Sequence, residues 1–168
     1  MRVLEFGSGA LRNAAWLQQR GLRVDVVEFP SVIARYDAEY KHLIRRGGKV
    51  YTSTPRRQFD AVVCTFVLGT ITPSKARVSM LAEMRDCLKA KAPLILAVRG
   101  PGDVKTKNRQ GQPWRDGFLT PNGTFIKPFR KPELIDLCSK VGLQLSPLTR
   151  DIQSNSGIVD LILELSNE

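Results

Sequence analysis

The sequence predicts an α/β fold: a three-layer αβα sandwich around a mostly parallel central sheet of about seven strands, with an antiparallel strand near the C-terminus. Three observations predict it. Short aliphatic runs alternate with segments of helical periodicity over the first hundred residues, the pattern of a parallel sheet joined by crossover helices. Phe59 to Phe66, FDAVVCTF, is almost continuously apolar, as a central parallel strand covered on both faces must be. Arg2 to Glu28 reads as strand, Gly-rich turn, helix, strand, which is one right-handed βαβ unit.

Arg2 to Phe6 is the first strand and stops at Gly7. Asn13 to Gln19 carries apolar residues at helical spacing and is closed by Gly21. Leu22 to Glu28, LRVDVVE, alternates and ends in an acid, as a second strand parallel to the first. Pro30 to Ile44 is expected to be helical, and Lys49 to Thr52 is a thin third strand after the Gly47-Gly48 break. Phe59 to Phe66 is the fourth strand. Pro73 and Ser74 open an amphipathic helix, with Val78, Leu81, Met84 and Leu88 at spacings of three and four. Pro93 to Val98 is the fifth strand, ending at Arg99-Gly100. A loop of about thirty residues follows, a length that in a compact domain usually covers a ligand. A helix near Pro132 to Val141 and two strands, Leu143 to Leu148 and Ile158 to Leu165, complete the chain.

The ligand crevice of such a sheet lies at the carboxyl ends of its strands. Glu5 to Gly9, Glu28, Thr65 to Gly69 and Arg99 to Gly102 are expected to converge there from four separate segments.

With 168 residues, 42% of them hydrophobic and 25% charged, the chain is expected to form one domain over residues 1–168. It has no 18-residue apolar run and no basic segment leading into a signal-like apolar stretch, so neither a membrane partner nor secretion is expected and the location read from the sequence is cytoplasmic. Cys64, Cys87 and Cys138 are odd in number and widely spaced, which points to buried thiols and to no metal site. The net charge of +10 is uneven: between Arg99 and Lys131 eight Lys or Arg residues face only Asp103 and Asp116. That segment is a candidate surface for anions, nucleic acid included, or a solvated face.

VLEFGSGALRNAAWLQQRGLRVDVVE resembles the opening of class I S-adenosylmethionine-dependent methyltransferases, a Rossmann-like family whose first motif is an acid followed by a Gly-rich turn. The resemblance implies that Glu5, Gly7, Ser8, Gly9, Glu28, Phe29, Thr65 and Phe66 hold S-adenosyl-L-methionine. Glu5 would order the amino end of the cofactor, and Glu28 would accept hydrogen bonds from both ribose hydroxyls. Gly7 and Gly9 would let the backbone come close, where a side chain would clash. A nicotinamide-dependent dehydrogenase also has a Gly-rich turn followed by an acid. Here, however, Arg12 stands where its third glycine belongs.

The sequence departs from the family pattern at several points. Thr52, Ser53 and Thr54 replace the acid often found on the adenine side after the third strand. Gly69 lies near the position where many small-molecule methyltransferases carry a histidine, and KAKAPL replaces the glycine pair common before strand five. The first strand begins at residue 2, so the domain is expected to be minimal or truncated at its N-terminus.

Neither the [DNS]PP[YFW] motif nor the Pro-Cys nucleophile of the DNA-modifying enzymes is present. The implied activity is therefore methyl transfer to a small-molecule acceptor. A nucleic-acid methyltransferase using residues 99–131 and a degenerate cofactor-binding regulator are the alternatives. Arg99, Asp103, Trp114, Arg115, Asp116 and Phe118 are the candidate acceptor contacts, with packing of the loop as the other role for Trp114 and Phe118. His42 lies away from the strand tips, and no catalytic residue is assigned. Acceptor and oligomeric state stay open.

Overall fold

The computed structural model describes residues 1–104, 111–151 and 157–166. Its central sheet has seven strands: β1 (Arg2–Phe6), β2 (Arg23–Val27), β3 (Val50–Tyr51), β4 (Ala61–Thr65), β5 (Leu94–Arg99), β9 (Leu143–Leu145) and β10 (Ile158–Leu165). They lie in the order β3-β2-β1-β4-β5-β10-β9. The pairs from β3 to β5 are all parallel, with Val3 opposite Val24 and Ala61 and with Val63 opposite Ile95. β10 runs antiparallel to both neighbours, with Leu161 opposite Leu96 and Leu163 opposite Leu145. This is the Rossmann-like arrangement expected, with β10 as the reversed strand.

The helices α1 (Arg12–Gln19), α2 (Pro30–Arg35), α3 (Asp37–Arg45), α4 (Ser74–Asp86) and α6 (Lys131–Ser139) connect these strands. Alternation along each strand decides which layer it meets. Leu4, Phe6, Val62, Cys64, Leu94 and Leu96 point to one face and pack with Leu81 and Met84 of α4 and Leu134 of α6. On the other face, Val24 and Val26 meet Leu11, Ala14, Tyr40 and Leu43. The strands of the middle are thus apolar on both sides because both sides are covered.

The chain leaves β1 toward β2 and β3 and then returns to β4 on the opposite side of β1. Strand order reverses between β1 and β4, and a crevice opens there beyond the carboxyl ends.

Several boundaries differ from those the sequence predicts. The expected helix over Pro30 to Ile44 is two helices, because Tyr36 leaves helical geometry at φ −115 and ψ 38. The break sets α3 so that Tyr40 and Leu43 are buried against α1 and β2. The fourth strand ends at Thr65, since Phe66 turns into left-handed backbone at φ 62. It starts at Ala61, because Asp60 uses its side chain on the Arg2 N–H and on Lys89. The strand expected over Leu143 to Leu148 stops at Leu145. Ser146 and Pro147 lead into a 3-10 turn, Pro147–Asp151, as proline cannot donate to a sheet ladder.

The largest difference is the long loop. It contains a short helix α5 (Pro101–Val104) and a separate three-stranded antiparallel sheet of β6 (Gln112–Trp114), β7 (Gly117–Leu119) and β8 (Phe125–Ile126). Trp114 pairs with Gly117 across a two-residue turn in which Arg115 is left-handed at φ 52. Lys105, Lys107 and Arg109, part of the basic segment, lie outside the described residues.

Candidate active site

The Gly-rich turn is shaped by three contacts. Gly7 has φ +67, and a Cβ there would come within 2.3 Å of the Val67 side chain, so the loop after β4 closes on glycine alone. Gly9 has φ +52, but a Cβ at that position would meet no atom within 4 Å. The Tyr40 hydroxyl donates to the Gly9 carbonyl (2.9 Å) and accepts from the Ser8 hydroxyl (3.0 Å). This Tyr40 contact was not legible in the sequence, because it depends on the break at Tyr36 that redirects α3.

Glu28, at the tip of β2 and 8% exposed, faces the turn. One carboxylate oxygen accepts from the Gly9 N–H (2.8 Å) and the other from the Phe29 N–H (2.8 Å). These two bonds fix its plane, and each oxygen retains acceptor capacity. Glu5, at the end of β1, is 2% exposed. Its Oε1 accepts from the Asn13 amide (2.9 Å), which also donates to Thr65 Oγ1 (2.9 Å). Its Oε2 is buried with no hydrogen-bond partner among the described residues. Burial pushes the Glu5 carboxyl up from 4.5 to about 7, with the Asn13 amide pulling down, the Ala14 N–H doing so from nearby without completing a hydrogen bond, and the charge of Glu28 adding a smaller upward push.

Beyond the turn lies a cleft of about 490 Å³ lined by Gly7, Glu28 and Phe29 from the β1 and β2 tips. Phe6 and Val27 at the ends of the same two strands, Thr52, Ser53 and Thr54 after β3, Val67 and Ile71 after β4, and Met80 and Glu83 from α4 complete its wall. Of the residues expected to hold a cofactor, Gly7, Glu28 and Phe29 line this cleft. Glu5, Ser8, Gly9 and Thr65 sit around the turn beside it, with the Ser8 side chain directed at Tyr40.

Phe66 is 38% exposed, and its left-handed backbone, costing about 1–2 kcal/mol for a non-glycine residue, turns its ring out at the β4 tip. The Arg99 guanidinium stands 5.1 Å from that ring and pairs with Asp103 at 2.7 Å. These three expected residues come together.

The others sit on the small sheet. Trp114 packs edge-on against Phe125 at 5.6 Å. Arg115 lies 4.4 Å over the Trp114 ring and donates to Thr72 Oγ1 (3.2 Å). Phe118 is half-buried in the ladder opposite Pro113.

Asp116 is bound instead to Arg77, a residue the sequence reading passed over. Arg77 is 2% exposed, donates to the Ile71 carbonyl (2.7 Å) and makes an ion pair with Asp116. Its only sequence signal was a charge on the buried side of an amphipathic helix. At Gly69 a Cβ would lie 2.8 Å from the Lys127 carbonyl, whose own N–H donates to Gly69 O at 2.7 Å. The strand end of the small sheet therefore fills the place a larger residue would need. His42 is exposed on α3, away from the cleft. Cys64, Cys87 and Cys138 are buried, and burial raises their thiols to about 12, 11 and 12. Among the described residues no helix is long and apolar enough to cross a membrane.

A family model described as a methyltransferase domain matches residues 1–148. The chain belongs to the methyltransferase domain family. No curated protein matches its sequence. Solved structures share the fold of this methyltransferase domain. The CcbJ methyltransferase from Streptomyces caelestis aligns at TM-score 0.75 and 15% identity over 99% of this chain and 84% of that one. An S-adenosylmethionine-dependent methyltransferase from Clostridium acetobutylicum ATCC 824 gives 0.71 at 11% over 99% and 84%. The Burkholderia thailandensis 1,6-didemethyltoxoflavin-N1-methyltransferase, with 1,6-didemethyltoxoflavin and S-adenosylhomocysteine bound, gives 0.73 at 16% over 99% and 71%.

Proposed function

We propose that this methyltransferase domain binds S-adenosyl-L-methionine and passes its methyl group to a small-molecule acceptor. The observation that carries the reading is the buried Glu5 oxygen with no partner, set beside a turn whose Gly9 opens onto free space and faces the oriented carboxylate of Glu28. An unpartnered buried acceptor is a costly feature that a ligand donor relieves. A primary ammonium fits Glu5, and a vicinal diol fits the two oxygens of Glu28.

S-adenosyl-L-methionine supplies an electrophilic methyl carbon on a sulfonium, so a carbon–sulfur bond breaks as the acceptor's bond to that carbon forms. The chain's part is alignment and exclusion of water. Glu28 and the Gly-rich turn would fix the position of the methyl at the β1 and β4 tips. Phe66, Arg99 and Asp103 would border the acceptor on the far side, under the small sheet anchored by Arg77. A small acceptor is favoured over nucleic acid because the described cations of residues 99–131 are largely engaged within the chain. Arg99 pairs with Asp103, Lys127 with Glu133, and Arg115 lies on Trp114.

Titration calorimetry with S-adenosyl-L-methionine tests the reading. We expect binding by the wild type and a loss of about 2–3 kcal/mol in Glu28→Ala, the usual worth of hydrogen bonds to a charged group. That is roughly a hundredfold in Kd. No binding, or equal affinity in a folded Glu28→Ala protein, defeats it.

A further inference from the structure

At the end of the sheet opposite the cleft, the crossover helices return to the starts of the next strands. Arg20 caps the C-terminus of α1, Arg23 opens β2, Arg45 and Arg46 close α3, and Lys49 leads into β3. These elements are tied together there. Arg23 stands opposite Arg2 of β1, and its N–H donates to the Met1 carbonyl (3.2 Å). The Lys49 carbonyl accepts from the Val26 N–H (2.9 Å), and the Arg46 guanidinium donates to the Gln18 carbonyl at the end of α1 (3.3 Å). One corner of the molecule thus gathers five cations from four elements.

All five side chains are exposed, and none has an ion-pair partner among the described residues. Asp25, the acid beside Lys49, is fully buried and held by Arg2 (3.2 Å) and by the Lys49 N–H (3.1 Å). Asp37 and Glu39 stand in the first turn of α3, about 10 Å back along the helix from Arg45. The helix macrodipole accounts for one cation at each helix C-terminus, but not for a pair at the end of α3 or for Arg23 and Lys49 at strand starts. Residues 99–131 differ, because Arg99 and Lys127 there are paired with Asp103 and Glu133.

We propose that this corner, at the amino ends of β1 to β3, is a docking surface for the phosphate backbone of nucleic acid. Four of its five cations are arginines, whose planar guanidinium matches a phosphate in bidentate fashion. About 10 Å separates β1 from β3, a span over which a duplex carries about six phosphate charges. A membrane surface would instead call for an apolar helix face beside the cations. The apolar face of α3, Tyr40 and Leu43, is buried in the core and leaves Ile44 outward. Because the corner faces away from the cleft, nucleic acid held there is an anchoring partner and not the methyl acceptor.

Fluorescence anisotropy with a labelled DNA duplex of about 20 base pairs, between about 50 and 200 mM salt, tests the assignment. Engagement of all five cations gives a slope of about −4 to −5 in log affinity against log salt. Arg45→Gln with Arg46→Gln should reduce that slope by about 2 and weaken binding at least about tenfold at the lowest salt. Arg23→Gln with Lys49→Gln should do the same. Lys75→Gln with Lys131→Gln removes equal charge at the first turns of α4 and α6, toward the other end of the sheet, and should leave the slope within about 1 of the wild type. No duplex binding at the lowest salt, a flat salt dependence, or an equal loss of slope in the Lys75 and Lys131 protein overturns the proposal. Displacement of the duplex by polyglutamate at equal charge, or by phosphatidylserine vesicles, overturns the choice of nucleic acid as the partner.

Discussion

Burial governs the chemistry of Glu5. Its carboxyl is pushed up from 4.5 to about 7 chiefly because ionisation strands a charge away from water, and the Asn13 amide offsets only part of that effect. In the unfolded chain the group titrates near its ordinary value. Between about pH 4.5 and pH 7 the folded protein therefore holds a proton that the unfolded chain has released. Stability must fall as pH rises through that window and level off above it. Glu5→Gln removes the titrating group while keeping its shape. Urea denaturation across the window should show the wild type losing on the order of 2 kcal/mol more than Glu5→Gln. Parallel pH profiles for the two proteins would mean that Glu5 ionises normally. The acid itself was legible in the sequence as part of an acid-Gly-x-Gly motif. Its buried, partnerless oxygen was not, because that depends on how closely α1 and the β4 tip pack over it.

At the scale of elements, the small sheet of β6, β7 and β8 is held to the body, among the described residues, by an ion pair, the Arg115 hydrogen bond to Thr72 and two backbone bridges. Lys127 donates to Gly69 and Phe129 to Arg99 through their N–H groups, while Asp116 in the β6–β7 turn meets the buried Arg77. The two partners are unequal: Arg77 is 2% exposed and Asp116 41%. Removing Asp116 leaves a buried cation uncompensated, whereas removing the cation leaves a carboxylate already in reach of water. Asp116→Ala should therefore cost about 1–2 kcal/mol, the buried-pair figure discounted for the exposed partner. It should also speed hydrogen exchange at the amides of β6 and β7. Arg77→Met, which keeps the packing volume, should cost less. Equal costs, or exchange in the small sheet untouched by Asp116→Ala, would show that the sheet is held otherwise. The sequence could reveal a long basic segment but not this sheet. Its strands are two or three residues long, too short for periodicity, and the contact that secures it joins positions 39 residues apart. The two-helix form of residues 30–45 was hidden for a similar reason, since Pro30 and the apolar spacing mark a helix start without marking the turn at Tyr36.

At the scale of the whole molecule, the mostly parallel sheet was legible in outline because a parallel sheet covered on both faces leaves long apolar runs in the sequence. FDAVVCTF and LILAV are the two strands on the far side of the switch point. The meeting of Gly7 and Glu28 at that point was legible too; what the sequence could not contain is that the β3 end through Thr54 and α4 through Met80 and Glu83 join them in one crevice. A ligand seated there binds the folded state alone, since none of these groups is adjacent in the unfolded chain. At about a hundredfold excess over Kd such a ligand adds about 2.7 kcal/mol to stability, which for a protein of this size raises the midpoint by roughly 5–10 °C. We expect that rise for S-adenosylhomocysteine in scanning fluorimetry, and most of it should vanish in Glu28→Ala at the same ligand concentration. Salt separates this local effect from the field of the +10 chain. A zwitterionic ligand held by short, partly buried contacts is weakly screened, so the shift should persist in about 0.5 M salt. An effect of polyanions on the same midpoint should collapse under those conditions, because it depends on counterion release. A cofactor shift that disappeared with salt in the same way would place binding on the charged surface and not in the cleft at the β1–β4 switch.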